Sequence, residues 1–238
     1  MAAYHIHPLN ERAVTISFGG DISLDTHHRI MLLDNKIKLK NFGGFMETVP
    51  AYNTLTIYYD PCPVIRDPSL AGENAFERIR SLLIEILSEP IEHLAVQEEN
   101  VITIPVCYDN AFGPDLDYVS SVTGKSLEEI VAIHSQTIYT VFMMGFSPGF
   151  PYLGILATEL EVPRKEVPRL VVPAGSVAIA GRQTGIYPFD TPGGWQIIGR
   201  TPLRLFNTDM EGLTLLKPGY RVKFESINID DFETLKAS

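Results

Sequence analysis

The sequence predicts two domains of different class: an α+β domain of the ferredoxin-like type over residues 1–98, and a mainly β domain over residues 99–238. The first part orders its segments as strand, helix, strand, strand, helix, strand, which is typical of a ferredoxin-like unit. The second part concentrates glycine and proline, since Gly145 to Pro202 holds half of the 18 glycines and eight of the 17 prolines. Long helices and strands do not tolerate that density. Short strands joined by tight turns, closing into a barrel, are therefore expected.

The elements of the first domain follow from the spacing of its apolar residues. Val14, Ile16 and Phe18 alternate with polar neighbours, as in a half-buried strand. Glutamate-rich residues 90–100 are expected to connect the two domains. The predicted elements are two strands within residues 4–18, a helix capped by Ser23 and reaching about Lys40, strands at Phe45–Val49 and Thr54–Tyr59, a helix from about Ala71 to Ser88, and a last strand at Val101–Val106.

The elements of the second domain are shorter. Two helices are predicted within residues 109–135, because Ser126 and Glu129 have the spacing of a capping box in front of an apolar run. A strand rich in β-branched and aromatic residues follows at Thr137–Met144, ahead of the glycine and proline stretch. Further strands are predicted at Leu203–Phe206, Thr214–Leu216 and Arg221–Phe224, with a turn at residues 217–220 between the last two.

Composition excludes several classes of function. The net charge of −10 argues against non-specific nucleic-acid binding. The N-terminus lacks a basic segment followed by an apolar run, and no stretch is long and apolar enough to span a bilayer. Cys62 and Cys107 lie far apart without metal-site or redox spacing, so both are expected to be reduced, buried thiols. These observations predict a cytoplasmic protein without a membrane or nucleic-acid partner.

Three short motifs are rejected on chemical grounds. Ser147 lies in a G-x-S-x-G pattern, but the next residue is Pro148, which has no N–H to act as an oxyanion donor. Gly124-Lys125-Ser126 resembles the end of a phosphate loop, but the leading glycine is absent. The pair His5 and His7 lacks a nearby acidic or cysteine partner, so no metal site is predicted.

His134 has two readings from its position alone. It shares a helix face with Ile130 and Val131, which favours a histidine packed at the end of the helix and satisfied by local hydrogen bonds. In the other reading it faces the turn-rich stretch that follows, where it would serve as a general acid or base or as an oxyanion binder. Both readings are kept as hypotheses.

Arg164 and Arg169 each follow a proline, which restricts the local backbone and so fixes the direction of the next side chain. Two guanidinium groups held in this way suit a carboxylate or a phosphate, although ion pairs with nearby glutamates would explain them equally well. The turn Gly193-Gly194-Trp195 lets the backbone approach a ligand while the indole forms a flat wall. A tight barrel turn with a core tryptophan is the alternative.

A longer series of residues, in fixed order, is more specific than any of these motifs. It resembles the family of the 5-oxoprolinase B subunit, which is also known as Kip inhibitor or allophanate hydrolase subunit 1. The residues that carry the resemblance are His134-Ser135, Gly145-Phe146, Pro148 to Gly154, Pro163-Arg164, Pro168-Arg169, Pro173 to Val177, Gly185 to Pro188, Thr191 to Trp195 and Gly199 to Thr201.

The resemblance implies a small N-terminal α+β domain, a C-terminal cyclophilin-like barrel and a place in a heteromeric enzyme. That enzyme, an ATP-dependent hydrolase, opens 5-oxoproline (pyroglutamate) to glutamate, and its other components are an A subunit and a C subunit, the latter of related barrel fold. ATP is then a co-substrate, with magnesium. The implied chemistry phosphorylates the lactam oxygen, so the site must bind a small anionic amide and stabilise negative charge.

Candidate site residues combine these two lines of reasoning. The hypothesis assigns catalytic roles to His134 and Arg169. The candidate substrate-binding residues are Arg164, Gly193, Gly194, Trp195, Arg200, Gln183 and Tyr152.

The same family includes an inhibitor that binds a sensor histidine kinase, which is a binding module and not an enzyme. That function would use exposed aromatic residues of the barrel, and Phe146, Phe150, Tyr152 and Phe189 are the candidates. A further alternative is that the chain is a subunit of a related urea or allophanate amide hydrolase. The enzyme-subunit hypothesis is favoured, because arginines fixed by prolines are of little use for gripping a pair of helices.

Overall fold

The structure, a computed structural model, describes residues 4–89, 101–209 and 212–237. The chain divides into two compact units, Met1–Glu98 and Glu99–Ser238. The predicted connection at residues 90–100 lies outside the described residues. No helix among the described residues is both long and apolar enough to cross a bilayer.

The first unit is a four-stranded antiparallel sheet with helices packed against it. The strands lie in the order β1-β2-β4-β3. The elements are β1 (Tyr4–Asn10), β2 (Ala13–Phe18), α1 (Leu24–Lys40), β3 (Phe45–Pro50), β4 (Thr54–Tyr59), α2 (Pro61–Arg66) and α3 (Ala75–Ser88).

Capping residues and apolar spacing explain these boundaries. The Ser23 hydroxyl accepts a hydrogen bond from the Thr26 N–H, so α1 begins where its sequence predicts. The second long helix begins later than predicted, because the Asn74 side chain caps it by accepting from the Glu77 N–H. Each long helix buries one apolar face, and one cluster contains Ile30, Leu33, Ile37, Ile79, Leu83 and Ile86. Cys62, which was expected to be buried, is exposed on α2, whereas Cys107 is buried.

The ferredoxin-like arrangement is not confirmed. Its last strand was expected at Val101–Val106, but the corresponding strand, β5 (Ile102–Cys107), belongs to the barrel of the second unit. The sheet of the first unit instead takes its fourth strand from β1, which pairs with β2 in a hairpin. Spacing of apolar residues identifies a strand, but it does not identify the sheet that the strand joins.

The second unit is a closed seven-stranded barrel with flanking helices, which confirms the predicted barrel. Its strands lie in the order β10-β7-β6-β13-β5-β12-β9, and β9 pairs with β10 to close it. The elements after β5 are α4 (Leu116–Thr123), α5 (Leu127–Gln136), β6 (Ile138–Met144), β7 (Pro151–Gly154), a 3₁₀ turn (Thr158–Leu160), β8 (Arg169–Val172), β9 (Ser176–Ala180), β10 (Gln183–Ile186), β11 (Thr191–Gly193), β12 (Gln196–Arg200), β13 (Arg221–Ile227) and α6 (Ile229–Ala237).

Two details of the barrel differ from its sequence pattern. The predicted strands at Leu203–Phe206 and Thr214–Leu216 are reduced to a single bridge between Phe206 and Thr214. Strands β8 and β11 do not enter the barrel and form a separate two-stranded sheet. The predicted turn before β13 is confirmed, since the Tyr220 N–H donates to the Lys217 carbonyl.

The barrel wall separates two apolar clusters. Along β9, Val177 and Ile179 belong to a large cluster that also includes residues of α4 and α5, while Ala178 and Ala180 belong to a smaller aromatic cluster. Successive strand residues point to opposite faces, so the two clusters lie on opposite sides of the wall. The smaller cluster lies next to the turns that carry most of the predicted site residues.

Candidate functional site

Four aromatic side chains form the centre of the smaller cluster. Trp195 packs edge-on against Phe150 and Tyr152, with ring centroids 5.7 and 5.8 Å apart. Phe150 also meets Tyr187 edge-on at 5.1 Å. Burial raises the pKa of the Tyr152 and Tyr187 phenols, so both remain protonated and neutral at neutral pH. The cluster is a rigid apolar wall with two neutral hydroxyl groups at its edge.

Arg164 lies over this wall. Its guanidinium carbon is 5.7 Å from the centroid of the Trp195 ring, a cation–π geometry. The segment that carries it is fixed to the glycine turn, because the Lys165 N–H donates to the Gly194 carbonyl at 2.7 Å. The predicted proximity of Arg164 and Trp195 is therefore present in the structure.

Asp115, which the sequence patterns did not single out, organises the cations next to the wall. Its carboxylate accepts two hydrogen bonds from the Arg169 guanidinium, both 2.8 Å, and one from the Lys165 ammonium at 2.9 Å. It also accepts from the backbone N–H of Ile197 at 2.7 Å. The Asp115 side chain is only 5% exposed, whereas Arg169 and Lys165 are 27% and 28% exposed.

This arrangement leaves an excess of positive charge. Burial tends to raise the pKa of the Asp115 carboxyl, but the hydrogen bonds from Arg169, Ile197 and Lys165 outweigh burial and hold that pKa below its usual value. The Asp115 carboxylate thus binds two cations, Lys165 and Arg169, and Arg164 is a third cation nearby. These three basic residues are called the cation cluster below. A small anion that reaches these side chains meets a net positive site.

Glycine at position 193 allows strand β11 to lie close to both Tyr187 and strand β8. Gly193 lies opposite Arg169 in the pairing of β11 with β8. A Cβ atom at position 193 would overlap the Tyr187 hydroxyl, so only glycine fits there without displacing that ring. The backbone N–H of Trp195 partly offsets the burial that raises the pKa of the Tyr187 hydroxyl. Because residue 193 is a glycine, β11, Arg169 on β8 and the aromatic wall can lie close together.

The remaining substrate-binding candidates lie further out. Gln183 is half-buried and pairs with Ala180, which places it on the same face of the barrel wall as the aromatic cluster. Arg200 donates from Nε to the Ala174 carbonyl at 2.7 Å, and it thereby supports the turn that precedes β9. The structure gives Arg200 a contact with this turn and not with the aromatic wall.

His134 is not placed at this site, which corrects its assignment as a catalytic group that faces the turns. It is completely buried in the barrel core and stacks on Phe224 with centroids 4.5 Å apart. Nε2 lies 2.9 Å from the Thr184 hydroxyl, which itself donates to the Ala178 carbonyl, so Nε2 is the protonated nitrogen. Nδ1 then accepts from the Tyr108 hydroxyl at 2.7 Å.

The protonation state of His134 agrees with a structural role. Burial lowers its pKa from 6.5 to about 3, so the ring is neutral at physiological pH. Both ring nitrogens already have partners in the core. The alternative reading, a packed and satisfied histidine at the end of a helix, describes this environment.

The aromatic residues proposed for kinase binding separate into two groups. Phe146 is 62% exposed and Phe189 is 38% exposed, whereas Phe150 is 2% exposed and belongs to the aromatic cluster. Phe150 therefore cannot contribute to an exposed contact face. Ser147, in the same loop as Phe146, is followed by strand β7 and not by the helix that a nucleophile elbow requires.

An open groove of about 990 Å³ lies away from the aromatic wall, between α5 and the start of α6. Its lining includes Leu127 and Val131 together with Asp109, Glu128 and Asp230. Three carboxylates oppose the binding of an anion. The groove contains none of the predicted site residues, so the cation cluster remains the candidate site.

Comparison with known proteins identifies the family. Residues 4–216 match the family described as carboxyltransferase domain, subdomain C and D. The chain belongs to this family. Within it, the chain is 41% identical to the 5-oxoprolinase B subunit of Bacillus subtilis over 98% of this chain and 97% of that protein. It is 40% identical to the 5-oxoprolinase B subunit of Escherichia coli O157:H7, over 91% of this chain and 93% of the relative. The resemblance inferred from the motifs is confirmed.

Solved structures that resemble this chain include longer polypeptides. The crystal structure of TTHA0988 matches 91% of this chain at 36% identity with a TM-score of 0.75, but the match spans only 40% of that protein. PH0987 from Pyrococcus horikoshii, described as a conserved uncharacterized protein, matches at 39% identity and a TM-score of 0.55, over 96% of this chain and all of that one. The Kluyveromyces lactis urea carboxylase shares the fold at 15% identity and a TM-score of 0.70, over 98% of this chain and 22% of its own length.

Proposed function

We propose that this chain is the B subunit of an ATP-dependent 5-oxoprolinase, which opens 5-oxoproline to glutamate together with an A and a C subunit. The observation that carries the proposal is identity of about 40% over nearly the full length to proteins named as the B subunit of 5-oxoprolinase. The cation cluster beside a rigid aromatic wall supports it, because it has the chemistry that a small anionic ring requires.

The substrate has two features that these residues would recognise. Its carboxylate would bind to Arg164 and Arg169, with Asp115 keeping the Arg169 fork in place. Its flat five-membered ring would lie near the Trp195 wall, and the Gly193–Gly194 turn brings backbone groups close to that position. Gln183 would then contribute a polar group from the edge of the same face.

Charge develops on the substrate in the proposed reaction. Transfer of the ATP γ-phosphoryl group to the lactam oxygen makes the ring carbon open to attack by water; the ring C–N bond then breaks and phosphate leaves. Fixed cations stabilise the negative charge on the phosphorylated lactam without reorganising at that moment. We assign this stabilisation to Arg169 and Arg164.

ATP, with magnesium, is proposed as co-substrate of the complex. In the segment that resembles a phosphate loop, Gly124 ends α4 and Ser126 forms the capping box of α5 with Glu129. These residues already serve the two helices, so they do not fit a phosphate cradle.

A reconstituted enzyme tests the proposal. The chain is combined with the A and C subunits of the same organism, and ATP-dependent release of glutamate from 5-oxoproline is measured. We expect turnover only with the full set, and a loss of at least ten-fold in kcat/KM for Arg169→Gln. Arg204→Gln, at an exposed position, is the matched control and should retain activity.

The kinase-inhibitor alternative predicts a different result. The exposed Phe146 is the observation that favours it, since a large aromatic on a surface turn suits protein contact. Tight binding to a histidine-kinase helix pair, lost in Phe146→Ser, together with no turnover of 5-oxoproline in the reconstituted mixture, would replace the enzyme proposal.

A further inference from the structure

Two short segments of the barrel unit lie side by side at the aromatic wall. One segment, residues 163–165, carries Arg164, and the other, residues 194–196, carries Trp195. A backbone hydrogen bond of 2.7 Å joins the two segments, and the Arg164 guanidinium carbon lies 5.7 Å from the centroid of the Trp195 ring. The position of this arginine therefore depends on how the two segments are held together.

Gln196 adds a further link between these segments, from the protein interior. Its side-chain amide nitrogen donates to the Pro163 carbonyl at 3.0 Å. That carbonyl belongs to the peptide bond that leads into Arg164, and the proline ring already restricts the backbone on its other side. Holding the Pro163 carbonyl therefore fixes the backbone from which the Arg164 side chain projects.

The Gln196 side chain is otherwise poorly matched to its surroundings. The residue is 2% exposed, and its Oε1 atom is buried without a hydrogen-bond partner among the described residues. A buried carbonyl oxygen without a partner costs free energy, which an apolar side chain of similar size would not cost. The bond to the Pro163 carbonyl is therefore what a glutamine contributes at this position.

The strand that carries Gln196 is itself firmly anchored. Gln196 begins β12 and lies opposite Ile179 in the pairing of β12 with β9, which belongs to the closed barrel. The next residue, Ile197, exchanges two hydrogen bonds with Asp115. Its N–H donates to the carboxylate at 2.7 Å, and its carbonyl accepts from the Asp115 N–H at 3.0 Å. The Gln196 amide therefore acts from a fixed point of the barrel.

Arg164 depends on this support more than the other two members of the cation cluster do. Arg169 and Lys165 are both bound by the Asp115 carboxylate. Arg164 is exposed, and within the part of the chain that the structure describes no carboxylate pairs with it. Its place over the indole thus rests on the local backbone and on a cation–π contact, which is weak at an exposed site.

We propose that Gln196 is a positioning residue for Arg164. By holding the Pro163 carbonyl, it keeps the Arg164 guanidinium over Trp195, ready for the carboxylate of the substrate. Without that bond the segment gains freedom, and binding of the anion has to restore the lost order. The link to the substrate rests on the proposed function, whereas the link from Gln196 to Arg164 does not.

The fluorescence of Trp195 tests the inference on the chain alone. Trp195 is the only tryptophan, so its emission reports the charge held over its ring. We expect Arg164→Gln and Gln196→Met to shift the emission maximum in the same direction, and the double variant to show no further shift. Gln136→Met, the same change at an exposed position on α5, is the matched control and should emit like the wild type.

A second variant covers the case in which Gln196→Met fails to fold. Gln196→Asn keeps an amide but is one methylene shorter, so it cannot reach the Pro163 carbonyl from the same backbone position. It should give the same emission shift as Gln196→Met. We expect the Tm of Gln196→Met to stay within about 3 °C of the wild type, because the variant loses a hydrogen bond but also loses the buried oxygen without a partner.

The reconstituted enzyme tests the connection to the substrate. Gln196→Met should lower kcat/KM for 5-oxoproline at least about five-fold, because Arg164 is no longer held in place. In the Arg164→Gln background, the same substitution should change kcat/KM by less than about two-fold, since the residue through which Gln196 acts is already gone.

Two results overturn the inference. If Gln196→Met and Gln196→Asn emit like the wild type while Arg164→Gln does not, the bond to Pro163 does not hold Arg164. If the effects of the Arg164 and Gln196 substitutions on kcat/KM multiply in full, Gln196 acts independently of Arg164. A wild-type complex that does not turn over 5-oxoproline, together with the expected emission shifts, refutes the proposed function and supports the positioning of Arg164 by Gln196.

Discussion

Replacing Asp115 is the most informative single perturbation, because one buried carboxylate holds two cations and a backbone N–H. Asp115→Ala leaves Arg169 and Lys165, both about one quarter exposed, without their anionic partner, and it leaves the Ile197 N–H without its acceptor. Removing one member of a buried ion pair costs about 3–5 kcal/mol. Asp115→Asn keeps an acceptor for the Ile197 N–H and should cost about 1 kcal/mol less.

These free energies translate into a shift of the thermal midpoint of unfolding. At about 2–4 °C per kcal/mol for a domain of this size class, Asp115→Ala should lower Tm by roughly 6–20 °C. The single tryptophan of the chain, Trp195, lies in the barrel unit, so its fluorescence follows the unfolding of that unit alone. Asp117→Asn, exposed on the same helix, is the control and should change Tm by less than about 2 °C.

The pH dependence gives a second, independent readout. The folded-state pKa of Asp115 is below its ordinary value, so the unfolded chain takes up the proton first as pH falls. The stabilisation is therefore complete above the unfolded carboxyl pKa of about 4 and is lost as pH falls from there through the folded pKa. The Tm difference between wild type and Asp115→Ala should shrink in that range. A variant as stable as the Asp117 control, or a Tm difference that does not change with acid, would refute the role of Asp115.

Three further results are expected. The imidazole of His134 should not titrate above about pH 4 in NMR spectra, and a titration midpoint near 6.5 would contradict the buried neutral ring. Because the unfolded chain binds the proton first, the free energy of unfolding should fall as pH falls from 6.5 toward 3. Gly193→Ala should lower the free energy of unfolding by about 1–3 kcal/mol in urea titrations through overlap with the neighbouring tyrosine, whereas Gly19→Ala, with open space around its Cβ, should change it by less than about 0.5 kcal/mol. Arg164→Gln should lower the free energy of unfolding by less than about 1 kcal/mol. The same change should weaken the binding of 5-oxoproline to the assembled complex at least ten-fold in calorimetry. Binding equal to that of the wild type would remove Arg164 from the site.

The sequence predicted local features well because local chemistry determines them. The Ser23 cap and the Ser126–Glu129 capping box were correctly identified as helix starts, since side chain and backbone partners lie within three residues of each other. The barrel was expected from the density of short strands and turns, and it is present. Arg164 and Trp195 lie together because the intervening prolines and glycines bend the chain back.

Contacts between distant residues account for what the sequence did not predict. Asp115 precedes a helix, where aspartate is usually a cap, so its partners at Lys165 and Arg169 left no local signal. The sheet that β5 joins is decided by pairing with a strand at the far end of the barrel unit, which apolar spacing does not encode. His134 has apolar helix neighbours in both readings, and only the hydrogen bonds to Tyr108 and Thr184 show that it is part of the core.

The strand β13 gives the barrel a particular order of assembly during synthesis. It pairs in parallel with β5 and antiparallel with β6, so it joins the first two strands of the barrel and is itself the last of them in the chain. While the polypeptide emerges from the ribosome, β5 and β6 each keep one unpaired edge until residues 221–227 have left the exit tunnel. The family match ends at residue 216, ahead of this strand. A protein trimmed to that boundary would keep the cation cluster but lose the closure of its barrel, and nascent chains paused there would depend on chaperones to avoid pairing with one another.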